Sequence, residues 1–185
     1  MQAFQPPSYD NSPDATWTTA DLCDAALGQP DKGLRVLPDA YRQYGGNPWY
    51  FGSIVVVPAL PQGQISSLAG LLSQSGDGRV LVVDGGPLQN TAIFGDRMAC
   101  MAVQNGWRGV LIHGYVRDTA TLARLPLGVH ALGTRPNRAE VMLPAQAGEA
   151  VTLHGMSLRT GEWLYADGDG VIVLAERHAP PRGPA

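Results

Sequence analysis

The feature that most constrains the fold is a series of short apolar runs that alternate with helix-like segments. Three of these runs are typical of buried strands, at Ser53–Val57, Arg79–Val83 and Gly109–His113. Apolar residues at helical spacing follow the first run over 65–72, and a further helix is predicted over about 96–105. Strands that alternate with helices form parallel sheets, because each crossover needs room for a helix. The middle of the chain therefore predicts an α/β fold.

The two ends of the chain do not continue this alternation. A helix is predicted from Thr18 to Gly28, with Thr18 or Thr19 as its cap and Gly28 as its stop. After the third strand we expect a short helix and then short strands, at Thr121–Leu125, Val129–Leu132, Val151–Leu153, Trp163–Ala166 and Val171–Leu174. Short strands joined by tight turns pair antiparallel, so the prediction is a single-domain α/β sandwich with a mixed sheet.

The length of 185 residues suits one compact domain. Its ends are rich in proline, so we expect a loose N-terminal arm at 1–17, a domain at 18–176 and a frayed tail at 177–185. The chain holds 23 Gly and 15 Pro, a share well above average that indicates many turns.

Charge and hydropathy exclude several classes of protein. The formal net charge is −3, whereas a protein that binds a nucleic-acid duplex needs clustered cations. No stretch approaches the roughly 18–20 apolar residues of a membrane span, and residues 1–13 lack the cationic start and apolar core of a secretory signal. Cys23 and Cys100 lack metal-ligand spacing and fit buried free thiols. We therefore expect a cytoplasmic protein that binds neither nucleic acid nor membranes.

Two strand ends carry residues suited to a site, because loops beyond the carboxyl ends of strands build the binding sites of α/β sheets. Gly85 and Gly86 follow the second strand, where the missing Cβ atoms allow close approach of a ligand or simply a tight turn. Arg117 and Asp118 follow the third strand. The guanidinium can bind a carboxylate and the carboxylate can hold a hard divalent cation, although a solvated surface ion pair has the same sequence.

A third candidate is the start of the helix predicted at about residue 96. The helix dipole and the free amides of its first turn favour a small anion such as a carboxylate, and these amides belong to Gly95, Asp96, Arg97 and Met98. Asp96 is equally suited to be the N-cap of the helix. Asp96 and the Arg117–Asp118 pair are separated by 20 residues, and both fall at element ends that could face one cleft.

Other candidates fit structural roles better. The run Asp167-Gly168-Asp169-Gly170 is similar to a calcium loop, but its twelfth position is His178 where that loop needs Glu, so a hairpin turn is favoured. His113 ends the third strand, where it either transfers protons or forms a structural hydrogen bond.

Several motifs together resemble one known family. In chain order they are Thr19–Ala25, Gly78–Gly86, Gly95-Asp96, Ala102–Trp107, Gly114–Asp118 and Gly161–Gly170. Over about residues 18–175 the chain resembles the family that unites regulator of ribonuclease activity A with 4-hydroxy-4-methyl-2-oxoglutarate aldolases. The resemblance implies a swivelling β/β/α fold and assembly as homotrimers or hexamers with sites between subunits. It also implies a class II, metal-dependent pyruvate aldolase that often decarboxylates oxaloacetate.

The resemblance further implies a role for each matching residue. Arg117 is expected to bind the carboxylate of a small oxoacid substrate, and Asp118 to hold Mg²⁺ or Mn²⁺ largely through a water shell. Asp96 is expected to position a water or a proton. The oxoacid pocket is expected to be lined by the amides of Gly95, Asp96, Arg97 and Met98. Members that only regulate the ribonuclease commonly lack the Asp of the Arg–Asp pair, which this chain keeps.

The expected reaction is retro-aldol cleavage of a 4-hydroxy-2-oxoacid to pyruvate. A base, such as a water held by Asp96, removes the C4 hydroxyl proton, the C3–C4 bond breaks and a pyruvate enolate remains. An aldolase stabilises that charge through a lysine Schiff base or through a metal. Lys32 is the single lysine and lies in a turn-like segment outside every motif, so the metal route is favoured.

Three parts of the chain depart from the family pattern. Residues 58–63 replace an acidic segment that contains asparagine, Arg97 is a charge where uncharged residues prevail, and 133–150 are divergent. The divergent segments are expected to touch the substrate or a neighbouring subunit. Two alternatives stay open: a non-catalytic protein-binding regulator that resembles the ribonuclease E inhibitor, and a ligand-binding domain whose divergent segment has spoiled the pocket.

Overall fold

The computed structural model describes residues 17–28, 33–86 and 90–178. Three features named from the sequence lie outside these residues: Lys32, the predicted tail beyond 178, and residues 1–16 of the predicted arm. The helices within it are α1 (Thr19–Ala26), α2 (Ala69–Leu72), α3 (Asp96–Gln104) and α4 (Thr119–Leu122), with a 3-10 turn at Pro61–Gly63. The strands are β1 (Arg35–Val36), β2 (Arg42–Gln43), β3 (Tyr50–Val57), β4 (Ser66–Ser67), β5 (Val80–Asp84), β6 (Ala92–Phe94), β7 (Gly109–Val116), β8 (Gly128–Thr134), β9 (Leu143–Pro144), β10 (Ala150–Leu153), β11 (Met156–Arg159), β12 (Trp163–Ala166) and β13 (Val171–Leu174).

Nine of the described strands form one mixed sheet, which confirms the predicted α/β fold. Eight of them follow the order β1-β13-β12-β3-β5-β7-β8-β2, and β6 pairs with β7 off this path. The central strands β3, β5, β7 and β8 run parallel, as their crossovers predict. The outer strands pair antiparallel, with β12 beside β3 and β2 beside β8.

The two edge strands of the sheet are close together in the sequence, so the sheet must curl to bring its edges near each other. β1 and β2 stand at opposite ends of the strand order, yet only residues 37–41 separate them. An extended chain of that length spans about 20 Å. The Val171 carbonyl accepts the Leu37 N–H at one edge, and the Val129 carbonyl accepts the Tyr44 N–H at the other. This segment therefore ties the two edges of the sheet to each other.

Alternate residues of the central strands bury on opposite faces of the sheet. Val55 and Leu81 pack in the cluster beneath α2, α3 and α4, whereas Ile54 and Val80 join a second cluster on the other face. The β10–β11 hairpin supplies buried side chains to this second cluster. Burial of both faces explains why the central strands are continuous apolar runs.

The first helix is held by aromatic packing and by a buried carboxylate. Trp17 stacks on Trp49 with ring centroids 4.3 Å apart. Asp167 is 8% exposed and accepts both the N–H and the hydroxyl of Thr19, each at 2.6 Å. The segment from Asp167 to Gly170 is the predicted hairpin turn between β12 and β13, and its first carboxylate fixes the start of α1.

Some predicted elements differ in extent. The helix predicted over 65–72 is limited to α2, because β4 pairs with β9 and the Leu143 N–H donates to the Ile65 carbonyl at 2.9 Å. The helix predicted at Thr121–Leu125 begins earlier, as α4, because the Asp118 carbonyl already accepts amides of its first turn. The strands predicted at Trp163–Ala166 and Val171–Leu174 have the predicted ends, and the other predicted helices and strands are present with shifted ends. None of the described helices is long and apolar enough to cross a membrane.

The prediction of two buried thiols is wrong for Cys100. This side chain is exposed, because Ala99 and Ala102 take the positions of α3 that face the core. Cys23 is half-buried, and burial raises the pKa of its thiol, with Asp24 adding to the effect.

Candidate active site

The ends of β6 and β7 bring the predicted site residues together. The two strands are parallel, with Phe94 opposite Val116, and the Arg117 N–H donates to the Phe94 carbonyl at 3.0 Å. The chain leaves the sheet at Gly95 on one strand and at Arg117 on the other. The two turns that follow therefore lie side by side, and they bring together the helix start and the strand end that the sequence predicts could face one cleft.

Gly95 is required by the closeness of these turns. A Cβ atom at this position would lie 2.6 Å from Asp118 Oδ2 and 3.0 Å from Arg117 Cγ. The Gly95 backbone is extended, with a φ of −158°, so the lack of space and not the conformation demands glycine. A larger residue would displace the Arg117–Asp118 pair.

Asp118 connects the two turns through its carboxylate. Oδ2 lies 3.2 Å from Arg117 Nε and accepts the Asp96 N–H at 3.4 Å. The Asp118 backbone is left-handed, with a φ of 58°, a conformation that Asp adopts more readily than most residues. The ion pair left open by the sequence is therefore present, and it also contacts the start of α3.

Asp96 is the first residue of α3, and Gly95 holds the N-cap position. The alternative that Asp96 is the N-cap is therefore wrong. Its Oδ1 accepts the Arg97 N–H at 2.6 Å. A carboxylate in the first turn is favoured by the helix dipole, and it stands beside the amides predicted to bind an anion.

These residues line one cavity of about 210 Å³. Pockets for drug-sized ligands are usually larger, about 300–1,000 Å³, so this one suits a small metabolite. The residues of the wall that were predicted are Gly95, Asp96, Arg97, Met98 and Arg117. The residues that were not predicted are Ser67, Leu68, Ala92, Ile93, Phe94, Arg138 and Met142.

The strand β6 and the residue Arg138 were both missed, but only β6 had a signal in the sequence. The apolar run Ala92-Ile93-Phe94, directly before Gly95, could have indicated β6. Arg138 had no periodic signal, because it reaches the cavity through an isolated backbone bridge to Ala92. The divergent segment 133–150 thus contributes to the wall, whereas no residue of 58–63 lines this cavity.

The cavity wall carries more positive than negative charge. Its three guanidinium groups belong to Arg97, Arg117 and Arg138, and its one carboxylate belongs to Asp96. Among the described residues, neither Arg97 nor Arg138 forms an ion pair. The surplus of positive charge favours an anionic ligand.

Two other candidates have structural roles away from this cavity. Gly85 donates its N–H to the His113 carbonyl at 2.9 Å, and a Cβ there would lie 2.6 Å from that oxygen, so the Gly85–Gly86 turn is a close backbone approach. His113 Nδ1 lies 2.9 Å from the Tyr41 hydroxyl, which is the predicted structural hydrogen bond. Burial and the neighbouring His154 lower the pKa of His113, against an opposing effect of Asp84.

The site offers one carboxylate suited to a metal. No group of three His, Cys, Asp or Glu side chains within the described ranges could hold a metal ion. Asp118 uses Oδ2 for its contacts, and no described residue hydrogen-bonds its Oδ1. A hard cation such as Mg²⁺ keeps several waters and needs few protein oxygens. The donor set therefore fits a hydrated divalent cation that Asp118 would hold, and not a cage made entirely of protein ligands.

Comparisons with known proteins agree with this architecture. The sequence model of the RraA-like family, described as Aldolase/RraA, matches residues 19–173. A protein from Laribacter hongkongensis, provisionally named 4-hydroxy-4-methyl-2-oxoglutarate aldolase, is 41% identical over 154 residues, which are 83% of this chain and 93% of that protein. A protein of the same provisional name from Xanthomonas campestris pv. campestris strain 8004 is 44% identical over 160 residues, covering 86% and 92%.

Solved structures show the same fold. A Geobacillus kaustophilus protein described as S-adenosylmethionine:2-dimethylmenaquinone methyltransferase has a TM-score of 0.76 and 35% identity, covering 87% of this chain and 96% of its own. The RNA-processing inhibitor RraA from Thermus thermophilus has a TM-score of 0.76 and 29% identity, covering 86% and 95%. The family match spans most of the chain, and the relatives match along nearly their whole length. This chain belongs to the RraA-like (Aldolase/RraA) family.

Proposed function

We propose that this protein is a pyruvate-forming aldolase that cleaves a 4-hydroxy-2-oxoacid similar to 4-hydroxy-4-methyl-2-oxoglutarate, and that it also decarboxylates oxaloacetate. The observation that carries the proposal is the meeting of Asp96, at the start of α3, with Arg117 and Asp118 after β7. The small, positively charged cavity beside them suits an oxoacid. The provisional names of the relatives favour the same reaction class.

In this proposal, Arg117 binds the carboxylate of the oxoacid end. The Asp96 and Arg97 N–H groups already donate to Asp118 and Asp96, so the Met98 N–H is the α3 amide that assists. A water held by Asp96 accepts the proton of the C4 hydroxyl as the C3–C4 bond breaks. The electron pair of that bond moves toward C3 and the C2 carbonyl oxygen, where the Arg117 guanidinium stabilises the developing charge. Protonation at C3 gives pyruvate, and C4 becomes the carbonyl carbon of the second product.

Asp118 would hold the divalent cation, Mg²⁺ or Mn²⁺, at the edge of the cavity. Such an ion, when bound, supplies a Lewis acid for the substrate carbonyl. Asp118 also acts on its neighbour, because its Oδ2 pairs with Arg117 Nε and so orients the guanidinium. Loss of Asp118 would therefore affect both the metal and the binding of the carboxylate.

The test is substitution of the pair that the geometry singles out. Arg117→Ala and Asp118→Ala are each expected to lower pyruvate formation at least about 100-fold, because both remove charge stabilisation at the reacting centre. Pyruvate release from 4-hydroxy-4-methyl-2-oxoglutarate and from oxaloacetate measures the effect, and circular dichroism checks the fold. Arg124→Ala is the matched control, since Arg124 is exposed and lies outside the cavity wall. Turnover like that of the wild type in both variants would sink the assignment.

A second candidate function is non-catalytic regulation of a ribonuclease by protein binding. The observation that favours it is the likeness to the Thermus RNA-processing inhibitor, at 29% identity and a TM-score of 0.76. The two functions separate in paired assays of pyruvate release and of binding to purified ribonuclease E. Tight binding to the ribonuclease without pyruvate formation would favour the regulator.

A further inference from the structure

We infer that Arg138 is a specificity-determining residue, which selects substrates whose second aldol product carries a carboxylate. The inference rests on the proposed function and concerns the half of the substrate that Arg117 does not bind. Arg138 lies in the divergent segment 133–150, which the sequence predicts to touch the substrate or a neighbouring subunit without singling out this residue. Arg138 is part of the cavity wall.

Arg138 and Arg117 approach the cavity from opposite ends of β6. Arg138 forms a backbone bridge with Ala92, the first residue of the strand. Arg117 donates its N–H to the carbonyl of Phe94, the last residue. The two attachment points are two residues apart, which is about 7 Å along a strand. An elongated molecule with a negative group at each end therefore suits this cavity.

The backbone that carries Arg138 is fixed in place. The Ala92 N–H donates to the Asn137 carbonyl at 2.8 Å, and Asn137 Nδ2 donates to the Asn90 carbonyl at 3.1 Å. The side chain itself is exposed and has no ion-pair partner in the described ranges. Arg138 is therefore a positioned cation at the cavity wall whose charge no described carboxylate neutralises.

Apart from its charged residues, the cavity wall offers little polarity. Leu68 and Met142 are apolar, and Ser67 adds one hydroxyl. The apolar side chains favour a methyl group over a carboxylate, so a preference for the carboxylate needs a cation.

A guanidinium does discriminate, because it forms charge-assisted hydrogen bonds only with the anion. Arg97, the other wall guanidinium without an ion pair among the described residues, lies in the first turn of α3, where Asp96 meets the Arg117–Asp118 pair. Selection for a far carboxylate thus falls to Arg138.

The experiment compares two substrates that differ only at the far end. 4-Hydroxy-2-oxoglutarate carries a carboxylate there and yields pyruvate and glyoxylate, whereas 4-hydroxy-2-oxopentanoate carries a methyl group and yields pyruvate and acetaldehyde. The wild type is expected to prefer the diacid about tenfold or more in kcat/KM, which is typical for a charged hydrogen bond. In Arg138→Met, the KM for the diacid is expected to rise about tenfold while the KM for the methyl substrate stays unchanged. Arg135→Met is the matched control, because Arg135 is exposed, lies over the Tyr115 ring at 4.4 Å and does not line the cavity.

Equal losses of kcat/KM on both substrates in Arg138→Met would overturn the inference. So would a wild type that does not prefer the diacid. Binding without turnover separates the inference from the proposed reaction. Calorimetry with 2-oxoglutarate and 2-oxopentanoate is expected to show the same preference and the same loss in Arg138→Met. If neither hydroxy acid yields pyruvate but this binding preference is found, the reaction is wrong and the role of Arg138 holds. If 2-oxoglutarate binds no better than 2-oxopentanoate, the role of Arg138 is wrong.

Discussion

Among single residues, Gly95 is essential to the geometry of the site, because its missing side chain leaves room for the Arg117–Asp118 pair. Gly95→Ala is expected to lower kcat/KM about 100-fold, since a Cβ would lie 2.6 Å from Asp118 Oδ2 and misplacement of about 1 Å has that effect. Gly70→Ala in α2 is the matched control, because nothing lies within 4 Å of its added Cβ. Pyruvate-release kinetics of the two variants measure the difference, and full activity of Gly95→Ala would show that the pair tolerates displacement.

His130 makes stability depend on pH. It is 3% exposed, its Nδ1 lies 2.9 Å from the Tyr50 hydroxyl, and burial lowers its pKa to about 4 against an opposing effect of Asp167. The folded state therefore binds this proton less readily than the unfolded state does. The contribution to stability is complete above the unfolded pKa of about 6.5 and is lost as the pH falls toward 4.

The free energy of unfolding is accordingly expected to drop by about 2 kcal/mol between pH 7 and pH 5 from His130 alone. Urea denaturation across this range measures it, with His130→Gln as the comparison. In the variant, the change of the unfolding free energy with pH is expected to be smaller but not zero, since His113, whose pKa is also lowered, remains. Identical slopes would show that His130 does not cause the effect.

Residues at element ends were predictable from the sequence, and residues placed by long-range contacts were not. Asp96, Arg117 and Asp118 follow from the positions where a strand ends or a helix begins. Arg138 does not, because its bridge to Ala92 joins segments far apart in the chain. The same limit applies to Asp167, whose composition indicates a turn but whose carboxylate binds Thr19, 148 residues away.

At the scale of elements, local pattern predicted the long strands, α3 and the four-residue strands β10, β12 and β13, but not the two-residue strands. β3, β5 and β7 are buried on both faces, so their apolar runs are unambiguous. β4 exists only because it pairs with β9, which supplies backbone hydrogen bonds from a distant segment. A two-residue strand of this kind carries no periodicity of its own.

The attachment of α1 gives a prediction at this scale. Asp167→Asn is expected to lower the free energy of unfolding by about 2 kcal/mol, because a buried carboxylate that accepts the amide and hydroxyl of Thr19 loses its charge. Asp169→Asn is the control, since this neighbour in the same turn is exposed. Chemical denaturation of both variants gives the comparison. Equal stabilities would mean that aromatic packing alone holds α1.

At the scale of the whole molecule, the fold brings both halves of the site to β6. Parallel β6 and β7 end together, and the segment that carries Arg138 returns to β6 from beyond β8. The family and the α/β fold are confirmed, whereas the predicted homotrimer or hexamer stays a prediction. The metal also stays a prediction, supported by the one carboxylate, Asp118, that fits it.

Pyruvate formation with the help of a divalent cation is the activity proposed for this protein. The most direct measurement is pyruvate release from 4-hydroxy-4-methyl-2-oxoglutarate by the purified full chain, in Mg²⁺, in EDTA, and after Mg²⁺ or Mn²⁺ is restored. Two pyruvates are expected for each substrate consumed, with loss of turnover in EDTA and recovery with either metal. Full turnover in EDTA would contradict the metal's role, and no pyruvate in the presence of metal would contradict the function.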